Sequence, residues 1–225
     1  MVSLKIIRNI ILNSYYYYIA NQINYLDLQT LKTIMSSDYI LDEKFEYIFF
    51  LEADIKYKEY ENCTFHNCDF TDCTFQTVTF IDCNFFDCNF KDTKINYVSL
   101  RGVQFTKCDF TAVNFAMTDQ VIYEFNFKDC LLDYAKFYAL KLKKMQFINC
   151  SMISVDFMAS DLTEVLFDNC NLRRAVFIDT IANKTDFYTS YDYTIDPEKN
   201  KLKKAVFSTE GLKGLLEKYN LVIKT

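Results

Sequence analysis

Nine cysteines, one histidine and an evenly spaced set of aspartates are the side chains of this 225-residue sequence with the capacity for chemistry. Zinc would need cysteines a few residues apart that converge on one point, usually together with histidine. Here Cys63, Cys68, Cys73, Cys83, Cys88 and Cys108 fall at multiples of five residues, and Cys130, Cys150 and Cys170 resume at twenty-residue steps. Positions strung along such a repeat run parallel and do not converge, so no metal site is expected. A nucleophilic cysteine or serine needs a base held beside it. The sole histidine, His66, directly follows Phe65 and is expected to face solvent. Gly102, Gly211 and Gly214 are scattered and form no phosphate-cradling loop. Asp72, Asp82, Asp87 and Asp92 each lie two residues after a phenylalanine. They read either as turn formers or as an acidic recognition face for a partner. Neither reading makes an enzyme, and no catalytic residue or cofactor is expected.

The spacing belongs to the whole chain. Phe65, Phe70, Phe75, Phe80, Phe85, Phe90, Phe105, Phe110 and Phe115 share one five-residue phase, which Ile95 and Leu100 fill in and Phe45, Phe50, Ile55 and Tyr60 extend backwards. After an interruption at Ala116 to Val121 the phase shifts by two and resumes from Ile122 through Phe127, Leu132, Phe137, Leu142, Phe147, Phe157, Phe167, Phe177 and Phe187. Every cysteine lies two residues before such a centre, a position otherwise given to residues such as Val78, Val113, Ala135 and Ser160. A period of five fits neither a helix nor a flat strand. A chain that turns every five residues keeps both positions inside, and four such units make a square coil stacked about 4.8 Å from the next. Residues twenty apart should then form columns: Phe65, Phe85 and Phe105; Phe70, Phe90 and Phe110; Phe127, Phe147, Phe167 and Phe187. Cys63 with Cys83, and Cys130 with Cys150 and Cys170, should form ladders beside them. The expected fold is an all-β solenoid of about seven coils over residues 45–187.

A net charge of −5 lacks the positive excess that phosphate backbones demand, so direct nucleic-acid binding is disfavoured. The basic residues Lys141, Lys143, Lys144, Arg173 and Arg174 gather in the later half. No run of about 18 apolar residues indicates a membrane span. The odd cysteine number, and its place in the repeat, point to a reducing cytoplasm rather than a disulfide framework. Residues 1–44 read as an N-terminal extension, with Met35 as the natural start and Met1 to Ile34 preceding it. Residues 188–225 read as a last partial coil containing Leu202 and Phe207, followed by a closing helix. Ser208 would cap that helix, and Leu212, Leu215, Leu216 and Tyr219 would form its apolar stripe.

The units CTFHN, CDFTD, CNFFD, CDFTA, VDFMA, SDLTE and CNLRR resemble the A(D/N)Lxx consensus of the pentapeptide-repeat family, with Cys or Val as the small residue and Phe preferred over Leu. The resemblance implies a right-handed quadrilateral β-helix. In members of the quinolone-resistance type (Qnr and MfpA), a C-terminal helix and tail close the coil and make a two-fold dimer. This implies a homodimer here through Leu212, Leu215, Leu216, Tyr219, Leu221, Val222 and Ile223, unless the helix only caps its own coil. The same members occupy the DNA-binding saddle of type II topoisomerases, so the resemblance implies a DNA mimic that binds DNA gyrase or topoisomerase IV and modulates quinolone sensitivity. Qnr-type proteins often carry two protruding loops, whereas the single interruption here adds two residues. The alternative is a protein–protein interaction scaffold. A continuous acidic stripe would favour mimicry, and isolated patches a scaffold.

Overall fold

In the computed structural model, which describes residues 36–121 and 123–222, the chain winds as a four-sided parallel β-solenoid. The extension Met1 to Ile34, and also Ile122 and Ile223, lie outside these residues. Short strands pair in parallel with the strand one coil on: Phe45 with Phe65, Phe65 with Phe85, Phe85 with Phe105, Phe127 with Phe147 and Phe147 with Phe167. The first face, centred on these residues, carries seven strands from Lys44–Glu46 to Leu166–Asp168. The second, centred on Phe50 and Phe70, is joined by single bridges such as Asp69 to Asn89 and Asn89 to Asp109. The third pairs Thr74–Gln76 with Lys94–Asn96. The fourth, opposite the second, carries four strands from Tyr39–Leu41 to Ser99–Arg101. The winding thus starts upstream of Phe45.

Both inward positions are buried, and the large centres stack. Phe45, Phe65, Phe85, Phe105, Phe127, Phe147, Phe167, Phe187 and Phe207 form one column, with ring centroids 4.5 Å to 5.5 Å apart. The two sets that sequence spacing separates are therefore continuous across the interruption. Phe70, Phe90 and Phe110 repeat the arrangement on the second face at 4.7 Å and 4.5 Å. Columns on adjacent faces meet edge to face, as Phe147 does with Phe157 at 78°. Stacked rings in register combined with edge contacts at the corners fill a narrow square interior with the geometries aromatic pairs prefer.

The small position does more than fit. Each cysteine is free and buried, and its Sγ donates to a carbonyl of the preceding coil, as Cys83 does to Tyr60 at 3.4 Å and Cys170 to Phe147 at 3.3 Å. Thr93, Thr180, Thr185 and Ser190 make the same bond through their hydroxyls, at 2.6 Å to 2.9 Å. The position therefore takes small donors that bond to the preceding coil as readily as small apolar residues. Burial pushes the Cys130 thiol well above its ordinary value, which removes the reactive thiolate. Because all nine cysteines are buried, native protein treated with a thiol reagent such as Ellman's is expected to react at none of them. All should react once the coil is denatured, and fast labelling of native protein would contradict this burial.

The third signature is at the corners. The residue two after most centres has a left-handed backbone, including Asn62 (φ 51°), Asn67 (φ 51°), Asp72 (φ 56°), Asp82 (φ 51°), Asp87 (φ 53°) and Asp92 (φ 57°). Asn and Asp tolerate this region better than other non-glycine residues, which accounts for their recurrence there. Most corner N–H groups donate to a carbonyl of the next coil, for example from Asp82 to the Arg101 carbonyl at 2.8 Å.

The interruption is a local bulge. A 3-10 turn at Phe115–Met117 carries the chain outward, and the register becomes Phe105 with Phe127. The extra length brings Phe125 into a small position, fully buried and 5.8 Å from Phe115. At the other end, Phe187 and Phe207 enclose Tyr193. Gly214 must lack a side chain because a Cβ there would lie 2.0 Å from the Tyr193 carbonyl oxygen. The closing helix is short, Leu212–Leu216, and passes into a 3-10 turn at Glu217–Tyr219. Ser208 accepts from the Gly211 N–H at 3.0 Å, one turn ahead of the helix rather than at its first residue. No four-residue stripe results: Leu215 packs on the core, whereas Leu212 and Tyr219 stay exposed.

Candidate functional site

Outward residues alternate with the core, so each face presents columns of side chains at strand spacing. On the second face the bridges place Asp69, Asn89 and Asp109 in one such column. Asp69 and Asp109 each accept from the N–H and hydroxyl of the threonine two residues on, Thr71 at 2.8 Å and 2.6 Å and Thr111 at 2.8 Å and 2.6 Å. Asp133 accepts from Ser151 at 2.7 Å and from the Ile153 N–H at 2.9 Å in the next coil. These bonds fix the carboxylates against the sheet. The corner aspartates Asp72 and Asp92 border this face on one side, one coil apart, and Asp87 and Asp129 border it on the other.

The structure thus brings Asp72, Asp87 and Asp92 around one face and leaves Asp82 apart. Asp82 sits on the corner between the fourth and first faces, where its Oδ1 covers Gly102 at the place a Cβ would occupy. Asp69, Asp109 and Asp133 were missed as site residues because they directly precede or follow a core centre, where the repeat usually places Asn, Asp or Thr. Spacing by twenty would have found the first two. Lys91 and Lys107 interrupt the carboxylates, and further along the same face come Arg173 and Arg174. The acidity is a patch and does not run the full length.

His66 faces outward and stacks on Phe86 at 4.7 Å. Among the described residues, no cluster of three or more histidine, cysteine or acidic groups is suited to a metal ion. A recess of about 1190 Å³ lies beside the closing helix and mixes Arg173, Arg174 and Lys213 with Asp192, Glu210 and Glu217. At this end Tyr219 donates to Glu198 at 2.7 Å, and Leu221 and Val222 are exposed. None of the described helices is long and apolar enough to cross a membrane.

A model of the pentapeptide repeat region matches residues 98–177, and a model of nine-copy pentapeptide repeats matches residues 52–94. The chain belongs to the pentapeptide-repeat family. Neither description names an enzyme. Among solved structures, a trypsin-treated form of QnrB1, a plasmid-mediated fluoroquinolone resistance protein, matches at 17% identity over 83% of this chain and 97% of its own, with a TM-score of 0.46. Full-length QnrB1 matches at 15% identity over 81% and 100%, with a TM-score of 0.44. HetL, a pentapeptide repeat protein involved in heterocyst differentiation regulation from the cyanobacterium Nostoc, matches at 11% identity over 84% and 96%, with a TM-score of 0.39. No curated protein sequence matches. The assignment of this pentapeptide-repeat protein rests on the two family models, which together span most of the solenoid.

Proposed function

We propose that this protein is a non-catalytic docking scaffold whose second face holds a basic surface of another protein. The observation that carries this reading is the convergence of Asp69, Asp72, Asp87, Asp92, Asp109, Asp129 and Asp133 on one flat face, several of them pinned by backbone bonds. A rigid carboxylate array attracts a basic partner and sets its register, with binding that weakens as salt rises.

A narrower reading, in which the partner surface is the DNA-binding saddle of DNA gyrase or topoisomerase IV, draws on the rod shape. Charge density argues for the broader reading. Seven carboxylates against Lys91 and Lys107 over four coils give roughly one net charge per 4 Å, whereas duplex DNA carries one per roughly 1.7 Å. The array also gives way to Arg173 and Arg174 further on.

The test compares Asp72→Lys/Asp92→Lys with Asp82→Lys in supercoiling by gyrase from the source organism, with and without a fluoroquinolone. Lysine already occupies left-handed corners at Lys107, Lys144, Lys184 and Lys204, so each variant should fold. If the saddle is the partner, wild type alters supercoiling at low-micromolar levels, the double variant loses the effect and Asp82→Lys keeps it. No effect at tens of micromolar removes the topoisomerase reading. The scaffold reading fails if partners recovered on immobilised wild type bind the double variant equally well.

A further inference from the structure

The fourth face, opposite the carboxylate array, has an uneven charge that the reading above does not use. Its first coils carry Glu59, Glu61 and Asp82, with Arg101 next. Its last coils carry Lys141, Lys143 and Lys144, then Asp161 and Glu164, then Lys184, then Lys201, Lys203 and Lys204. Bridges from Lys141 to Asp161, Asp161 to Ile181 and Ile181 to Lys201 place the later residues in one column. Strand pairing of Tyr39 with Glu59, Glu59 with Thr79 and Thr79 with Ser99 does the same for the earlier ones. Two ion pairs form within the face, Lys143 with Asp161 at 3.1 Å and Lys184 with Glu164 at 2.5 Å. Lys184 holds the Glu164 carboxyl below its ordinary value.

We infer that this face binds a second copy of the chain, antiparallel and face to face. A two-fold axis along the strand direction, between the coils of Tyr123 and Leu142, keeps every outward column opposite itself while reversing the order of coils. In that register Glu59 meets Lys201 of the other copy, Glu61 meets Lys203, and Asp82 meets Lys184. Arg101 meets the coil of Asp161 and Glu164, and Glu124 meets the coil of Lys141, Lys143 and Lys144. All four coil pairings then join opposite signs. Moving the axis to the Tyr123 coil sets Asp82 against Asp161 and Glu164, and Arg101 against the Lys141 coil, so the pattern selects one register. Val121, 84% exposed, and half-buried Tyr123 supply apolar surface beside the axis.

The contact is roughly 35 Å long and 15 Å wide, or about 1,000 Å² in total, at the small end for a specific interface. The dimer should therefore be weak and dominated by charge. It does not depend on the docking role of the second face, which it leaves exposed on both copies, and it differs from pairing through the C-terminal helix.

The test is sedimentation velocity on the full chain at tens of micromolar. Wild type is expected to sediment as a dimer at about 50 mM salt and to shift to monomer at about 500 mM. Glu59→Lys/Glu61→Lys and Lys201→Glu/Lys203→Glu should each be monomeric, because each sets like charges opposite one another. An equimolar mixture of the two variants should regain the dimer, since every reversed pair then finds its opposite. That recovery also shows that both variants are folded. A wild-type monomer at low salt overturns the inference. So does a dimer that survives both reversals, as a C-terminal dimer would, or a mixture that stays monomeric.

Discussion

Replacing Phe147 with alanine is expected to lower the free energy of unfolding by about 3–5 kcal/mol, read from the midpoint of chemical denaturation. Phe147 is fully buried, stacked between Phe127 at 5.5 Å and Phe167 at 5.1 Å, with the edges of Phe137 and Phe157 against it. Its neighbours are held by their own strands, so they cannot collapse into the space, and the cavity term adds to the lost transfer energy. Phe207 ends the same column, half-buried and stacked on one side only. Its replacement with alanine should cost less than half as much, about 1–2 kcal/mol. Equal losses at the two positions would show that column stacking is not the source of stability.

The second large effect concerns length. Deleting Cys150–Asn169 joins Asn149 to Cys170 and removes one whole coil. Every later centre keeps its phase: Phe187 comes to lie on Phe147, Leu172 on Leu132 and Phe177 on Phe137. The shortened protein is expected to keep the circular dichroism spectrum per residue and a cooperative transition. Deleting Cys150–Asn171, two residues more, puts Arg174, Asp179, Lys184 and Thr189 where Met152, Phe157, Leu162 and Phe167 were. Burying unpaired charges at successive centres is prohibitive. The chain cannot escape by shifting phase, because only Ile148 and Asn149 would then separate Phe147 from Leu172, too few to cross a side and turn. This variant should lose its cooperative transition. The natural change of phase adds residues, and added residues bulge outward, as Gln120 and Val121 do.

Much of this was legible because the repeat separates inside from outside by position alone. Phe65 or Cys130 can be assigned inward without knowing any partner, and the twenty-residue column follows from turning every five. Three things were not legible. Phe125 falls where the first phase expects a large centre and the second a small residue, and only the geometry of the bulge shows that this small position has room for a ring. Lys58 occupies a small position near the start of the coil, where its amine reaches the Ser37 carbonyl at 2.8 Å, a contact no periodicity announces. The acidic set Asp72, Asp82, Asp87 and Asp92 looked uniform because all four share the corner position. Which face each corner borders depends on counting around the square, and that count sets Asp82 apart from the others while bringing in Asp69, Asp109 and Asp133.

The backbone bonds described at the corners and along the strands run parallel to the long axis, donating to the coil before or to the coil after. A load applied between the ends of the rod would fall on them coil by coil, in series, with no long-range clasp to share it. The weakest layer yields first, and each coil released pays out about 70 Å of chain. Such a rod is stiff to a partner pressing on its side, and under tension it lengthens by increments of one coil.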